Sequence, residues 1–136
     1  MTLVLLMLLA AADLTSIKSV PDLEKRSELA LTNADQQVDA AREAYKAGDE
    51  KKMQAALEGV RESVALALHS LEEAPKQARK SKYYKRAELR TRALMRRLGT
   101  LSDEVSVDDR MPVEDVRKKV QEAHDHLLED IMSNKK

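Results

Sequence analysis

Four stretches of this chain space their apolar and small residues three or four apart, and helices are what bury such a pattern on one side. The clearest runs Met53, Leu57, Val60, Val64, Ala67, Leu71 and Ala74. Ahead of it stand Ser27, Leu31, Ala34, Val38, Ala41 and Tyr45, and after it Tyr84, Ala87, Thr91, Leu94, Leu98, Leu101 and Val105. The last stretch uses Val113, Val116, Val120, Ala123, Leu127 and Ile131. A period near 3.5 residues belongs to a helix face packed on another helix. Only three Gly and three Pro occur in 136 residues, so helices have few places to break.

The breaks that do exist fall between the seams. Ser19 is a candidate cap, Pro21 suits a first turn, and Asp22 favours the positive end of the helix dipole. Gly48 can take the left-handed conformation that ends a helix, and Asp49 then caps the next. Pro75 disfavours helix at Ala74. Ser81 is the cap expected for the third helix, and Asp109, ahead of Pro112, the one expected for the fourth. Gly99 lies inside the third seam, but the spacing continues past it. This reading predicts an all-α protein, an antiparallel up-down-up-down four-helix bundle over residues 19–134, with helices at about 20–47, 50–74, 82–105 and 112–133. Connections this short place successive helices antiparallel. The seams are rich in Ala, Ser and Thr, which favours close approach and a lean core that a homodimer would complete.

Residues 2–12 form an apolar run closing on Ala10-Ala11-Ala12, with Asp13 directly after. Such a run is too short to span a bilayer, which takes about 20 apolar residues. Its small-residue end reads as a signal peptide cleaved after Ala12, although no Lys or Arg precedes the apolar core. Residues 13–18 would be a short lead. The expectation is an exported protein, periplasmic or secreted, with no transmembrane span in the mature chain. With no Cys, the chain has no disulfide, thiolate zinc site, iron–sulfur cluster or c-type haem attachment.

Ala41, Tyr45, Gly48-Asp49, Met53 and Ala56-Leu57 together resemble the turn of a tetratricopeptide-type helical hairpin, where a Tyr packs beside a Gly-Asp turn and an Ala-Leu pair follows. The resemblance covers under a fifth of the chain. It implies a helical adaptor as one alternative function. The helices predicted here are longer than that repeat allows, and no second copy stands about 34 residues away. Leu31-Thr32 opens like the Leu-Thr-x-x-Gln mark of periplasmic stress chaperones, but Asp35 stands where the Gln belongs.

Residues 76–97 hold ten basic side chains against one acid, Glu88, in a chain with no net charge. On the third helix Lys85, Arg86, Arg92 and Arg96 fall outward beside Lys82, while Arg90 and Arg97 flank the seam. With Lys76, Arg79 and Lys80 they form a basic strip suited to phosphates, sulfates and carboxylates. Its partner would be a lipid headgroup, a polysaccharide or an acidic protein. Equally, acids on the other helices could pair with the strip internally. Nucleic acid is disfavoured, since aromatic side chains on which bases could stack are scarce. One ring of Tyr83-Tyr84 belongs in the seam and the other against the strip's cations.

Catalytic motifs are missing: there is no Gly-rich phosphate loop, nucleophile elbow or His-Glu-x-x-His. The three imidazoles are His69, His124 and His126. Glu122, His126 and Asp130 share one helix face at i, i+4 and i+8 and could hold a divalent metal weakly. A solvated His–carboxylate stripe is the plainer reading. A haem held by His124 and a Met would make the chain a metal- or haem-binding periplasmic bundle, but no Met sits at the matching end of the first helix. The expectation is a non-enzymatic protein without cofactor, binding or scaffolding through the basic strip.

Overall fold

The computed structural model describes residues 14–75 and 82–133. Residues 1–13, with the expected leader, and residues 76–81, with Ser81, lie outside the described residues. Among the described residues the fold is all-helical and contains no strand. Four long helices, α1 (Leu23–Lys46), α2 (Glu50–Glu73), α3 (Lys82–Glu104) and α4 (Arg110–Ser133), pack against one another. Residues 14–18 are also helical, and Ile17 packs on the core.

The start of α1 differs from the expected position. The cap is Asp22, whose carboxylate accepts from the backbone N–H groups of Glu24 and Lys25 at 3.1 and 3.2 Å. Ser19 instead donates its hydroxyl to Ser16 O, closing the preceding turn at 2.7 Å. A carboxylate two and three residues ahead of free N–H groups satisfies both and complements the dipole, so the helix begins at Leu23.

Between α1 and α2, Gly48 has φ +70°. Asp49 N–H donates to Ala44 O at 2.9 Å and Gly48 N–H to Tyr45 O at 3.0 Å, the paired bonds of a Schellman turn. Asp49 then accepts from Lys52 N–H at 3.1 Å, so one residue closes α1 and opens α2. An Ala at 48 would be strained by φ alone, whereas an Ala at 99 would meet Arg117 no closer than 3.6 Å. Gly48→Ala is therefore expected to lower stability by about 1 kcal/mol. Gly99→Ala, in a helix interior, should raise it by about 0.5–1 kcal/mol. Opposite shifts of the urea midpoint check both.

The α3–α4 turn carries a second correction. Asp109 does not cap α4; it ends a 3-10 turn, Val107–Asp109, and accepts the Ser106 hydroxyl at 2.8 Å. α4 starts at Arg110, whose Nε donates to Ser102 O at 3.0 Å. The Tyr45 hydroxyl accepts from Ser106 N–H at 2.9 Å, and Arg42 Nε donates to Glu104 at 3.0 Å. The end of α1 is thereby fastened to the α3–α4 turn.

The core is built from the predicted seams. Leu31, Ala34, Val38, Leu57, Val60, Leu71, Leu94, Leu98, Leu101, Val113, Val120 and Leu127 are buried, and Tyr45 and Ile131 pack at its margin. Close approach of α1 and α2 shows at Gly59, where an added Cβ would lie 3.0 Å from the Gln37 side chain. One layer further along, buried Asn33 donates to buried Ser63 at 2.8 Å. Packing is most extensive within the pairs α1/α2 and α3/α4. The successive helices α2 and α3 barely touch; α1 lies against α3 and α2 against α4.

Candidate functional site: the basic strip of α3

The strip divides into side chains committed to α1 and side chains left at the surface. Arg86 Nη1 donates to Glu28 at 2.8 Å. Arg90 reaches Glu28 O (3.1 Å), the Thr32 hydroxyl (3.0 Å) and Asp35 (3.2 Å). Arg97 binds Asp35 through both its carboxylate (2.9 Å) and its backbone carbonyl (3.2 Å), and also pairs with Asp39. Asp35 thus receives two guanidinium groups. The pairs advance together along both helices, from Glu28 with Arg86 to Arg42 with Glu104. These Arg side chains, at and beside the strip's edge, join α3 to α1.

The outer ridge differs. Lys82, Lys85, Arg92 and Arg96 are exposed. Lys85 and Arg96 have no acidic partner within 4 Å among the described residues, and Lys82 has none either. Lys82 Nζ lies 5.4 Å and Arg86 Cζ 5.9 Å from the centroid of the half-buried Tyr83 ring. Tyr84 is buried in the seam and its hydroxyl donates to Leu71 O at 2.8 Å. Lys76, Arg79 and Lys80 lie outside the described residues.

Arg92 pairs with Glu88, the single acid of the basic block, and Glu88 is buried between α3 and α4. Its other oxygen lies 3.2 Å from His124 Nε2, while His124 Nδ1 is 3.2 Å from Asp125. Each ring nitrogen of His124 thus faces a carboxylate. Neither nitrogen is left open to a haem iron. The sequence marked Glu88 only as the exception to a run of cations; its position one residue beyond the seam Ala87 was the available hint of burial. At the other end of α3, the Ser102 hydroxyl bonds the Glu114 carboxylate and holds its pKa below the usual carboxylate value.

The trio Glu122, His126 and Asp130 is not brought together. Glu122 pairs with Lys119 at 3.4 Å. His126 Nε2 lies 2.9 Å from Glu72 of α2, and Asp130 is 3.9 Å from the same nitrogen. His69 Nδ1 stands 3.7 Å from the other Glu72 oxygen. Among the described residues no group of three or more His, Asp and Glu side chains is arranged to hold a metal ion. The missed partner is Glu72, on a different helix and so invisible to spacing along α4.

Two clefts lie away from the strip. One, of about 560 Å³, is lined by Tyr45, Gly48, Asp49, Met53 and Asp109 at the α1–α2 turn. The other, of about 640 Å³, lies between α2 and α4 and is lined by Leu57, Arg61, Val116 and Lys119 among others. Among the described residues no helix is long and apolar enough to cross a membrane. No family model, curated protein or solved structure matches the chain.

Proposed function

We propose that the chain is an exported, non-enzymatic helical-bundle protein that binds an anionic partner through the outer ridge of α3. The observation that carries the reading is the division of the basic strip. Acids of α1 neutralise Arg86, Arg90 and Arg97, while exposed Lys82, Lys85 and Arg96 keep their charge available. Such a row attracts phosphate, sulfate or carboxylate groups from solution. Export rests on the apolar run of residues 2–12.

The architecture proposed with this function is an up-down-up-down course of four helices arranged as two hairpins laid side by side. Opposed register within α1/α2 (Asn33 with Ser63, Gln37 with Gly59) and α3/α4 (Glu88 with His124, Gly99 with Arg117) supports it, as does the shared advance of α1 and α3. Like-directed helices then become neighbours, which is how helical hairpins stack in solenoids. That neighbour pattern favours one second reading, a helical adaptor of tetratricopeptide-like hairpin type.

The test is salt-dependent retention on an immobilised polyanion. Lys85→Glu/Arg96→Glu should elute at much lower salt than the native chain while keeping its melting temperature, because neither side chain holds a partner among the described residues. Unchanged elution would remove the ridge as the contact surface. The accompanying check on export is the intact mass of the protein in the exported fraction, expected to lack residues 1–12.

A further inference from the structure

We infer that the outer ridge of α3 docks on an anionic lipid surface, its free cations on phosphate headgroups and Leu89 at the acyl boundary. This rests on the ridge being the anion-binding surface and names its partner.

Positions 82, 85, 89, 92 and 96 recur at spacings of three and four, as the seam does, but on the opposite side of α3. Four of the five are cationic, and the fifth, Leu89, is 56% exposed. A lone exposed leucine is ordinary on a protein surface. Here it stands at the middle of a row of long cations, the composition of a face lying in a headgroup layer. The half-buried Tyr83 ring, flanked by Lys82 and Arg86, adds an amphipathic side chain of the kind found at membrane interfaces. Leu128 and Met132 of α4, 38% and 58% exposed, share a face of that helix with His124, the partner of Glu88.

Three acids beside the ridge are engaged. Glu88 is held by Arg92 and His124, Glu28 by Arg86, and Asp125 faces His124. A hydrated polysaccharide would use the cations and leave Leu89 without a role. A folded acidic partner needs a surface to seat on, and the ridge is the convex side of one helix; both clefts described above lie on other faces. Anionic lipids are laterally mobile and gather under a row of cations, and their acyl boundary accepts an apolar side chain.

The experiment measures partition of the purified chain onto vesicles of equal parts phosphatidylglycerol and phosphatidylcholine, and onto phosphatidylcholine alone, with retention on heparin as the soluble-polyanion probe. The ratio between the two vesicle types cancels any contribution from apolar segments elsewhere in the chain. A preference of about tenfold or more for the anionic vesicles is expected, lost in Lys82→Glu/Lys85→Glu/Arg96→Glu. Leu89→Ser should weaken vesicle binding severalfold and leave heparin retention unchanged. Retention on heparin through the same cations, without a vesicle preference, would overturn the lipid inference and keep the ridge as a site for a polysaccharide or acidic protein. Vesicle binding indifferent to Leu89→Ser would overturn it as well. Binding to neither probe would overturn both the inference and the reading beneath it. Circular dichroism melts of the variants establish that each is folded.

Discussion

Leu94→Asp is expected to leave the chain without a cooperative thermal transition at 25 °C. Leu94 is fully buried, in the same seam as Leu98 and Leu101. The substitution removes about 2–5 kcal/mol of apolar packing and places a carboxylate in the apolar seam, away from water. Domains of this kind hold about 5–15 kcal/mol in total, so the combined loss is comparable to the whole. Leu94→Met keeps volume and apolarity and should cost less than about 1.5 kcal/mol. Circular dichroism melts of the pair make the measurement. A native-like melt of the Asp variant would show that the register of α3 differs from the one described.

The second large effect concerns the joint between α1 and α3. Arg90→Glu/Arg97→Glu is expected to lower stability by about 3 kcal/mol, or roughly 10 °C in Tm. The ion pairs themselves are partly exposed and each contributes only about 0.5–1 kcal/mol. The remainder comes from the bonds to Glu28 O and Asp35 O, which are lost, and from new carboxylates facing Asp35 and Asp39. Adding Asp35→Lys should recover part of the loss, since residues sharing partners couple. A Tm unchanged by the double reversal would mean that α1 does not use these arginines, and the strip's full charge would then be free for a ligand. The contrast with Lys85→Glu/Arg96→Glu is the useful one: same helix, same charge change, but lost binding in place of lost stability.

Which side chains face inward was readable at the level of single residues. Leu31, Val38, Leu57, Val60, Leu94, Leu98, Val113 and Val120 were all placed in seams by their spacing, and all are buried. Gly48 and Asp49 announced their turn because the left-handed conformation and the capping carboxylate are local requirements. Caps in competition were harder to read. Ser19 and Asp22 both suit the start of α1, and the carboxylate, reaching two N–H groups, takes it. Asp109 was claimed by Ser106, a side-chain contact inside a 3-10 turn that helix periodicity does not register.

The candidate site was legible only as composition. Ten cations in residues 76–97 announce a basic strip, but nothing along the chain says which of them are already spoken for. That depends on α1 lying against α3, and short connections argue for contact between successive helices, which α2 and α3 hardly make. The same holds for Glu88 with His124 and for His126 with Glu72, each pair divided between two helices. Burial of a helix face is set by the period of the residues on that helix, so sequence by itself determined the helices and their inward sides. Partner choice between helices is set by how the faces pack in three dimensions. The tertiary structure alone therefore decided that Arg86, Arg90 and Arg97 pair with α1 while Lys82, Lys85 and Arg96 are left without an acidic partner among the described residues.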